Sequence, residues 1–475
     1  MATQDPRLQD DASTDPADDD RAQYDYTGGS VEREGLVADL QTLVDGNVRF
    51  DEYSRQLYAT DASAYEVTPV GVVFPQSTDD VAAVVDYCAD REIPVLPRGG
   101  GTSLAGQATN EAVVLDLSVH MNELVDVDPD ARVADVQAGA VLADLNATLE
   151  PHDLKFAPDP AAGDRSTVGG AIGNNSTGAH SLKYGKTDAY VEEIEVVLAD
   201  GSVATFGEVT LEELRERADA DGDVESRIYA ALAHVVDEEA ETIREVYPQL
   251  KRNVSGYNLD RLVQEAESGS VNLARVFAGS EGTLGVVTAA TVSLEPVPET
   301  KSVALLTYHD LLDAMADVDT IVRNHDPAAV EAIDDVLLDL ARDTEEFAEG
   351  AAMLPEATET ALLVEFYAED NAHGRQQVAD LVADRVPSAT PSVEGDADAD
   401  DVDRPADDPA RAFDVLEAYD AEERATLWKL RKSGMPILLS RTTDAKHISF
   451  IEDTAVPTEN LADYVADFQT VLDEN

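Results

Sequence analysis

Three consecutive glycines between two apolar segments constrain this chain more than any other feature. Residues 97–106 read Pro-Arg-Gly-Gly-Gly-Thr-Ser-Leu-Ala-Gly, and they lie between residues 93–96 and 112–117, which have the composition of buried strands. Glycine accepts positive φ and lets another molecule approach the backbone closely. Consecutive N–H groups in such a turn form a nest for an anion, and Arg98 adds a positive charge beside it. The pattern predicts a cradle for a diphosphate, with an ordinary glycine-rich turn as the alternative.

This loop differs from the common nucleotide-binding motifs. The dinucleotide signature G-x-G-x-x-G opens a helix directly after a strand and has an acidic ribose partner, whereas this loop returns to a strand. The sequence contains no G-x-x-x-x-G-K-[S/T] either. A phosphate bound here is therefore held by another architecture.

A second segment, residues 158–178, consists mainly of small residues and lacks helical periodicity. Loops of this length are uncommon unless they are functional. Small side chains let a backbone lie flat against a planar ligand, and Asn, Ser and Thr supply hydrogen-bonding groups without bulk. The alternative is a mobile linker. A strand-like run at 194–199 follows closely, which favours a ligand-lining segment over a linker.

Apolar periodicity elsewhere predicts alternating strands and helices, with Pro296 and Pro298 marking a domain edge. Residues 391–410, mostly Asp, Ala, Pro and Gly, are predicted to be a solvated excursion. The predicted helices are 36–43, 78–91, 142–149, 311–323, 330–341, 421–432 and 461–472, and the predicted strands are 71–74, 131–138, 194–199, 274–278, 286–294, 361–366 and 448–451.

The charge balance predicts the solvent in which this protein works. Of the 475 residues, 98 are acidic and 33 basic, eight of them lysine, so that the formal net charge is −65. Such a surface repels nucleic acid and anionic membranes. A disordered acidic chain is disfavoured, because 43% of the residues are hydrophobic and occur in periodic segments. Molar salt would screen the self-repulsion, so we expect a globular protein from an extreme halophile, of haloarchaeal type.

The single cysteine, Cys88, lies in a helical run and is predicted to be a core residue. One thiol cannot form an internal disulfide, iron–sulfur cluster or structural zinc site. There is no signal-like N-terminus and no run of about 18 apolar residues, so the sequence predicts a cytoplasmic protein. Any association with the inner face of a membrane is expected through a partner.

Several glycine motifs in one order are far more specific than one. The motifs at 98–103, 168–178, 183–185 (Lys-Tyr-Gly) and 279–285 (Gly-Ser-Glu-Gly-Thr-Leu-Gly) together resemble the flavin-binding domain of the vanillyl-alcohol-oxidase superfamily. The resemblance is closest to the glycolate oxidase flavoprotein subunit and to the D-lactate and D-2-hydroxyglutarate dehydrogenases. The segments 428–431 and 446–464 resemble the large members that carry an iron–sulfur module on the same polypeptide.

This resemblance implies an α+β fold with three regions. Residues 1–45 form an acidic flexible arm and a short helix, and residues 46–298 form a two-subdomain FAD-binding domain of the vanillyl-alcohol-oxidase type. Residues 299–475 form a ferredoxin-like α+β substrate (cap) domain that is C-terminally incomplete.

The resemblance also implies non-covalent FAD, because no histidine stands in the first glycine loop. The diphosphate would be held by Arg98, Gly99, Gly100, Gly101, Thr102, Ser103 and Leu104. Pro158, Asp159, Thr167, Gly170, Asn175, Gly178 and Tyr184 would line the cofactor, with Asn175 near the flavin, and Glu281, Gly282, Gly285, Val286 and Val287 would hold the adenine side and the ring edge.

Oxidation of a 2-hydroxy acid needs a cation for the carboxylate, a base for the hydroxyl proton and a hydride acceptor, which in a flavoprotein is flavin N5. Arg431 lies on a predicted helix beside Trp428, and an arginine fork suits a carboxylate. Lys446 is a second candidate cation. The alternative is that Trp428 is a core residue and Arg431 a surface charge. The resemblance favours the substrate site.

The histidines depart from the resembled family. Relatives carry a C-terminal glycine-rich motif with several histidines, which binds a divalent metal and supplies the base. Here no H-x-H or H-x-x-x-H spacing occurs, so each histidine is expected to be structural or exposed, and no metal site is predicted. The eight are His120, His152, His180, His234, His309, His325, His373 and His447.

We therefore expect the 475 residues to be catalytically incomplete alone. Divalent metal and iron–sulfur clusters would reside in a missing C-terminal part or in a partner that accepts the electrons in place of NAD. Two alternatives remain: a non-catalytic FAD-binding subunit of a larger complex, and a sugar-lactone oxidase or cell-wall-precursor reductase of the same superfamily.

Overall fold

The computed structural model describes residues 33–342, 344, 348–387, 411–432, 434 and 454–474. Its first subdomain is a four-stranded sheet of order β1-β2-β4-β3, in which β2, β4 and β3 are parallel and β1 is antiparallel. Cys88 packs in its core, as predicted. The elements are α1 (Arg33–Leu43), β1 (Asn47–Arg49), α2 (Glu52–Leu57), β2 (Gly71–Phe74), α3 (Thr78–Ala89), β3 (Val95–Arg98) and β4 (Val113–Asp116).

The second subdomain is built on a five-stranded antiparallel sheet of order β5-β6-β12-β8-β9. Buried and half-buried residues alternate along β12, as expected for a strand packed on one face. The elements are β5 (Leu124–Asp128), β6 (Val133–Gln137), α4 (Leu142–Leu149), β7 (Leu154–Lys155), α5 (Val168–Asn174), α6 (Ser181–Tyr184), β8 (Val191–Val197), β9 (Val203–Phe206), β10 (Glu208–Thr210), α7 (Leu211–Glu216), α8 (Val224–His234), α9 (Ala240–Val246), α10 (Leu259–Ala266), β11 (Ser270–Asn272), α11 (Ala274–Phe277), β12 (Val286–Ser293) and β13 (Glu295–Pro296).

The C-terminal domain has a four-stranded antiparallel sheet of order β15-β16-β14-β17, with the β-α-β-β-α-β connectivity of a ferredoxin-like fold. This confirms the expected cap fold. The elements are β14 (Thr300–Tyr308), α12 (Leu311–His325), β15 (Ala329–Ile333), α13 (Asp335–Arg342), α14 (Ala348–Ala351), β16 (Thr360–Ala368), α15 (Asn371–Arg385), β17 (Asp414–Ala418), α16 (Ala421–Lys432) and α17 (Leu461–Glu474).

The two faces of this third sheet have different neighbours. One face packs against α12 and α15 through Leu306, Phe366 and Val378. The other face packs against α13, α14 and α16 through Leu305 and Leu363. Toward its end, the second face carries charged and aromatic residues that meet the second subdomain.

Three predictions of secondary structure were wrong. Residues 274–278, predicted as a strand, contain helix α11, because Asn272 accepts a hydrogen bond from the N–H of Ala274 (2.9 Å) and ends β11. A short buried apolar run does not distinguish strand from helix by periodicity. Residues 330–341, predicted as one helix, contain strand β15 and then α13, where Asp334 accepts from the N–H of Leu337 (2.9 Å) at the helix start.

The third error concerns residues 158–178, which contain helix α5 where no helix was predicted. Its N-cap is Thr167, whose hydroxyl accepts from the N–H of Gly170 at 3.2 Å. Three glycines and an alanine in seven residues hide the helical period. The predicted strand at 448–451, the excursion at 391–410 and Lys446 lie outside the described residues. Across the described ranges, no helix is both long enough and apolar enough to cross a membrane.

Candidate functional site

The loop between β3 and β4 presents a row of backbone donors. In the part of the chain that the structure describes, the N–H groups of residues 100–104 have no hydrogen-bond acceptor. Gly101 has φ of +62°, the left-handed conformation that occurs in anion-binding nests of consecutive N–H groups. The hydroxyl of Ser103 is buried and has no partner within the described residues. We call residues 99–104 the glycine nest.

The glycines of the nest are required by close contact with the second predicted segment. A Cβ on Gly99 would lie 2.1 Å from Oγ1 of Thr167, and a Cβ on Gly100 would lie 2.0 Å from the carbonyl oxygen of Arg165. Thr102 and Ser166 pair through their hydroxyls at 3.0 Å. The nest therefore lies directly against the N-terminus of α5.

The third glycine motif joins the same surface. The N–H groups of Gly279 and Glu281 donate to the carbonyls of Ile172 and Gly173, each at 2.9 Å. A Cβ on Gly282 would lie 2.7 Å from Cγ of Pro97, at the start of the nest. Motifs that are about 70 to 180 residues apart in sequence therefore converge on one surface.

The residues present at this surface fit FAD. A diphosphate needs several hydrogen-bond donors in a short arc, and the nest offers five consecutive N–H groups and the Ser103 hydroxyl. The buried Ser103 hydroxyl has no partner within the described residues, so an anionic ligand that accepts from it and from these N–H groups would stabilise the loop. The fit rests on backbone groups, which explains why the segment is rich in glycine.

Arg98 contributes charge and also holds the loop in place. Its guanidinium donates to the carbonyls of Ala108 (2.7 Å), Thr60 (2.8 Å) and Tyr58 (3.3 Å). A Cβ on Gly101 would lie 2.5 Å from Nη2 of Arg98, so the cation lies against the nest. Arg98 therefore anchors the loop to two other segments.

The other predicted cofactor-lining residues lie on several elements of the two subdomains. Asn175 has a left-handed conformation (φ +49°) at the end of α5, and its Oδ1 accepts from the N–H of Asp188 at 2.9 Å. Asn175 is almost fully buried, so its side chain has a structural role. A Cβ on Gly178 would lie 2.2 Å from the carbonyl oxygen of Asp159, which packs residues 158–159 against the chain after α5. Leu104 is half-buried in the nest and Pro158 is buried. At the start of β12, Val286 is buried and Val287 half-buried, and Gly285 precedes them.

A second group of functional side chains lies where the second subdomain meets the C-terminal domain. His180 contacts two carboxylates there: its Nδ1 contacts Asp159, and its Nε2 lies 2.8 Å from Oε1 of Glu365. The imidazole also lies 5.6 Å from the rings of Tyr367 and Trp428. The residues that form this interdomain cluster are Lys155, Asp159, His180, Tyr184, Lys301, Glu365, Tyr367 and Trp428.

Glu365 is the hub of the interdomain cluster. It projects from β16, its side chain is 2% exposed, and it accepts from Nε1 of Trp428 at 2.6 Å. Nζ of Lys301 lies 3.7 Å away. Burial favours the neutral acid, but His180, Lys301 and Trp428 together outweigh burial and lower the pKa of Glu365. The carboxylate is therefore charged.

The charge on His180 follows from the same contacts. Burial opposes the imidazolium, but the hydrogen bonds to Asp159 and Glu365 outweigh burial and raise the pKa of His180. Both ring nitrogens face carboxylates, which stabilise the protonated imidazole. His180 is therefore poorly suited to accept a proton from a substrate. Across the described residues, no group of His, Cys, Asp and Glu has a metal-binding arrangement.

Lysines concentrate around the two tyrosines of the cluster. Nζ of Lys155 lies 4.3 Å from the ring centroid of Tyr184, and Lys301 and Lys183 lie 5.0 Å and 5.8 Å from that of Tyr367. Burial and the nearby Lys301 lower the pKa of Lys155 to about 8. Three of the eight lysines in the chain therefore lie around this interface.

The predicted substrate residues lie on α16. Trp428 is half-buried and belongs to the cluster. Arg431 follows one turn later, its side chain is 40% exposed, and its Nε donates to Oε2 of Glu331 on β15 at 2.7 Å. Arg431 is therefore oriented by a strand of the sheet while its fork reaches the surface. Lys446 lies outside the described residues.

Sequence reasoning missed His180, Glu365, Tyr367, Lys155 and Lys301. Two signals were available. Glu365 is a lone charge within the apolar strand 360–368, and a charge in such a strand needs a partner. The second signal is the scarcity of lysine in this chain, which makes each lysine a candidate functional residue. His180 was expected to be structural or exposed, and nothing in the sequence shows that it bridges two domains.

Comparisons with known proteins agree with this architecture. The FAD binding domain family matches residues 69–207, and the C-terminal domain family of FAD linked oxidases matches residues 297–475. Among solved structures, alkyldihydroxyacetonephosphate synthase superposes with a TM-score of 0.62 over 93% of this chain and 75% of that chain. At 16% identity, this similarity shows the fold alone.

Three relatives illustrate the sequence similarity. D-2-hydroxyglutarate dehydrogenase of Pseudomonas putida is 33% identical over 90% of this chain and 41% of that protein. Glycolate oxidase subunit GlcD of Bacillus subtilis is 30% identical over 89% of this chain and 73% of that protein. D-lactate dehydrogenase of Archaeoglobus fulgidus is 31% identical over 65% of this chain and 56% of that protein. The chain spans about two fifths of the length of the D-2-hydroxyglutarate dehydrogenases that it matches.

Proposed function

Because the chain belongs to the FAD-linked oxidases, with their FAD binding and C-terminal domains, we propose that it oxidises a D-2-hydroxy acid to the 2-oxo acid. The observation that carries the proposal is the glycine nest, whose five consecutive N–H donors have no acceptor within the described residues. The relatives named above support the substrate class, since glycolate, D-lactate and D-2-hydroxyglutarate are all 2-hydroxy acids.

The proposed FAD lies with its diphosphate in the nest, held by the N–H groups of residues 100–104 and by Ser103. Residues 158–159 and 167–178 line its length, with Asn175 and Tyr184 toward the flavin, and residues 281–287 support the adenine side and the ring edge. When bound, FAD supplies the hydride acceptor. This chain's residues orient the cofactor and exclude water from its buried side.

Arg431 is the proposed carboxylate-binding residue, together with Lys446. The bond from its Nε to Glu331 fixes the plane of the guanidinium, and the Nη edge suits a carboxylate in two parallel hydrogen bonds. Trp428, whose indole donates to Glu365 in the interdomain cluster, holds α16 in place. The indole thus positions the helix, whereas the guanidinium of Arg431 binds the carboxylate.

The acceptor of the electrons is a separate question. Cys88 is buried in α3, burial raises the pKa of its thiol to about 12, and one thiol cannot ligate a cluster that needs four. We infer that electrons pass to an iron–sulfur module or to another subunit, and not to NAD. The relative named as a glycolate oxidase subunit supports an acceptor on another subunit.

The test is anaerobic reduction of the flavin in molar KCl, carried out on the whole enzyme with any partner that supplies the base for the hydroxyl proton. D-2-hydroxyglutarate, D-lactate and glycolate are added separately to the FAD-loaded protein, and the two flavin absorption bands are followed. Bleaching by at least one acid supports the proposal. Arg431→Met should weaken the apparent affinity for that acid about 100-fold, since a charge-assisted bidentate contact contributes roughly 2 to 3 kcal/mol. A flavin that none of these acids reduces, with dithionite reducing it normally, would contradict the function.

A further inference from the structure

We propose that the His180–Glu365 bridge is a positioning element: it fixes α16, and through it Trp428 and Arg431, against the FAD-binding domain. The inference rests on the proposed carboxylate role of Arg431 for its kinetic part, whereas its structural part stands on contacts alone. Neither His180 nor Glu365 touches the substrate in this proposal. Both act through the helix.

The bridge joins two domains through one imidazole. His180 follows the cofactor-lining segment and contacts Asp159 of that segment through Nδ1. Its Nε2 reaches Glu365 of the C-terminal domain at 2.8 Å, across 185 residues of sequence. The imidazole side chain is only 13% exposed, so water competes little for these bonds. The same ring thus contacts a partly exposed carboxylate of one domain, Asp159, and a buried carboxylate of the other, Glu365.

Glu365 passes this restraint on to α16. Its second carboxylate oxygen accepts from the indole of Trp428 at 2.6 Å, while its first faces His180. Arg431 lies three residues beyond Trp428, about 4.5 Å along the helix axis. A second contact, from Arg431 to Glu331 at 2.7 Å, ties the same helix to the neighbouring strand. Glu331 on β15 and Glu365 on β16 therefore fix the position of α16 along its axis and its rotation about that axis.

The contact between the domains depends on the charge of His180. With the imidazole protonated, both ring nitrogens donate to carboxylates. After loss of the proton, one nitrogen faces a carboxylate without a hydrogen, and the two carboxylates repel each other. The bridge therefore weakens as the pH rises. The titratable groups that face it come from β7, α6, β14, β16 and the loop before α5: Lys155, Lys183, Tyr184, Lys301, Glu365, Tyr367 and Asp159.

The chain carries its own reporter of this bridge. Trp428 is the only tryptophan of the sequence, and its ring centroid lies 5.6 Å from that of His180. Fluorescence excited at the red edge of the absorption band, where the 15 tyrosines absorb little, therefore reports on this position alone. A change in charge on His180, or loss of the hydrogen bond to Glu365, alters the surroundings of the indole directly.

The first measurement is a pH titration of Trp428 fluorescence in molar KCl, on FAD-loaded protein. We expect one transition with a midpoint above the unperturbed histidine value of about 6.5, and its loss in His180→Gln. The matched control is His325→Gln, because His325 also pairs with a carboxylate (Nε2 to Oδ2 of Asp384, 2.9 Å) but within one domain. The control should keep the transition. An unchanged transition in His180→Gln would overturn the proposal.

The second measurement separates positioning from folding. In His180→Gln and in Glu365→Gln, which keeps the shape of the side chain, KM for the hydroxy acid should rise about 10-fold while kcat changes less than about 3-fold. His180→Arg, which restores donors and charge, should return KM to within about 3-fold of the original. Equal losses of kcat in all three variants, or no change in KM, would refute the proposal.

The two measurements distinguish this inference from the proposed function. If no hydroxy acid reduces the flavin, the proposed function fails, and the fluorescence titration still decides whether the bridge exists. If His180→Gln does not fold, Glu365→Gln provides the same readout, with a changed emission maximum expected at neutral pH. An emission maximum identical to that of the original protein would count against the bridge.

Discussion

The glycine nest and the interdomain cluster use different parts of the polypeptide. In the nest, the functional groups are backbone N–H donors of residues 100–104, and the side chains are small so that they stay out of the way. In the cluster, the functional groups are charged side chains: His180, Asp159, Glu365 and two lysines, Lys155 and Lys301.

This difference determines how each region tolerates change. A site made of backbone groups is lost when a side chain is added, because nothing can move out of the way in a close-packed contact. A site made of paired charges is lost when one partner is removed, because the other is left buried and unpaired. Substitutions that enlarge residues should therefore act on the nest, and those that delete charges should act on the cluster.

The largest effect is expected for Gly100→Asp. Its Cβ would lie 2.0 Å from the carbonyl of Arg165, and its carboxylate would repel a diphosphate. FAD binding should weaken at least about 100-fold, or ~3 kcal/mol, as measured by quenching of flavin fluorescence in molar KCl. The matched control is Gly35→Asp, since no atom lies within 4 Å of a Cβ there. Affinity within about 3-fold of the original would show that the nest does not hold the cofactor.

Removal of the buried hub charge should have the next largest effect. Glu365→Ala leaves His180 and Lys301 without their shared carboxylate, so the free energy of unfolding should fall by about 3 kcal/mol. The control is Glu267→Ala, which removes the partner of Arg244 from an exposed ion pair. There the free energy of unfolding should change by less than about 0.5 kcal/mol. Urea unfolding in molar salt measures both. If both substitutions lowered the free energy of unfolding by similarly small amounts, the buried and the exposed charge would contribute equally, which would contradict this prediction.

A smaller effect is expected from the titration of His180. Because its pKa is raised in the folded state, its contribution to stability is complete below about pH 6.5 and is lost as the pH rises through the folded value. The difference in unfolding free energy between the original protein and His180→Gln should therefore shrink toward pH 9. The pKa of Glu365 is lowered in the folded state, so its contribution to stability has the opposite pH dependence and is lost only in acid. A difference that grows with pH would contradict this assignment.

The smallest effect concerns Lys155, whose pKa is lowered to about 8 by burial and by Lys301. Reductive methylation with ¹³C-formaldehyde followed by NMR titration should show one lysine that titrates near pH 8. Lys155→Arg should remove that resonance. No lysine titrating below about pH 9 would mean that the interface is better hydrated than its contacts indicate.

Much of the fold could be predicted from local patterns. Helix α16 begins and ends where its sequence predicts, and the strands at 71–74 and 286–293 follow their apolar runs. The errors at 274–278 and 330–341 arose where short apolar runs suit either strand or helix, and one polar residue, Asn272 or Asp334, made the choice. Helix α5 was missed because glycine hides its period.

The sequence by itself determined the nest, since three glycines between two buried strands carry their chemistry within a few consecutive residues. It also determined the family, through the order of four such motifs, and the strongly negative surface. Only the tertiary structure decided that His180 bridges residues 21 and 185 positions away and that Glu365 connects it to Trp428. The physical reason is that a backbone site depends on consecutive torsion angles, whereas a charged cluster depends on which distant elements pack together.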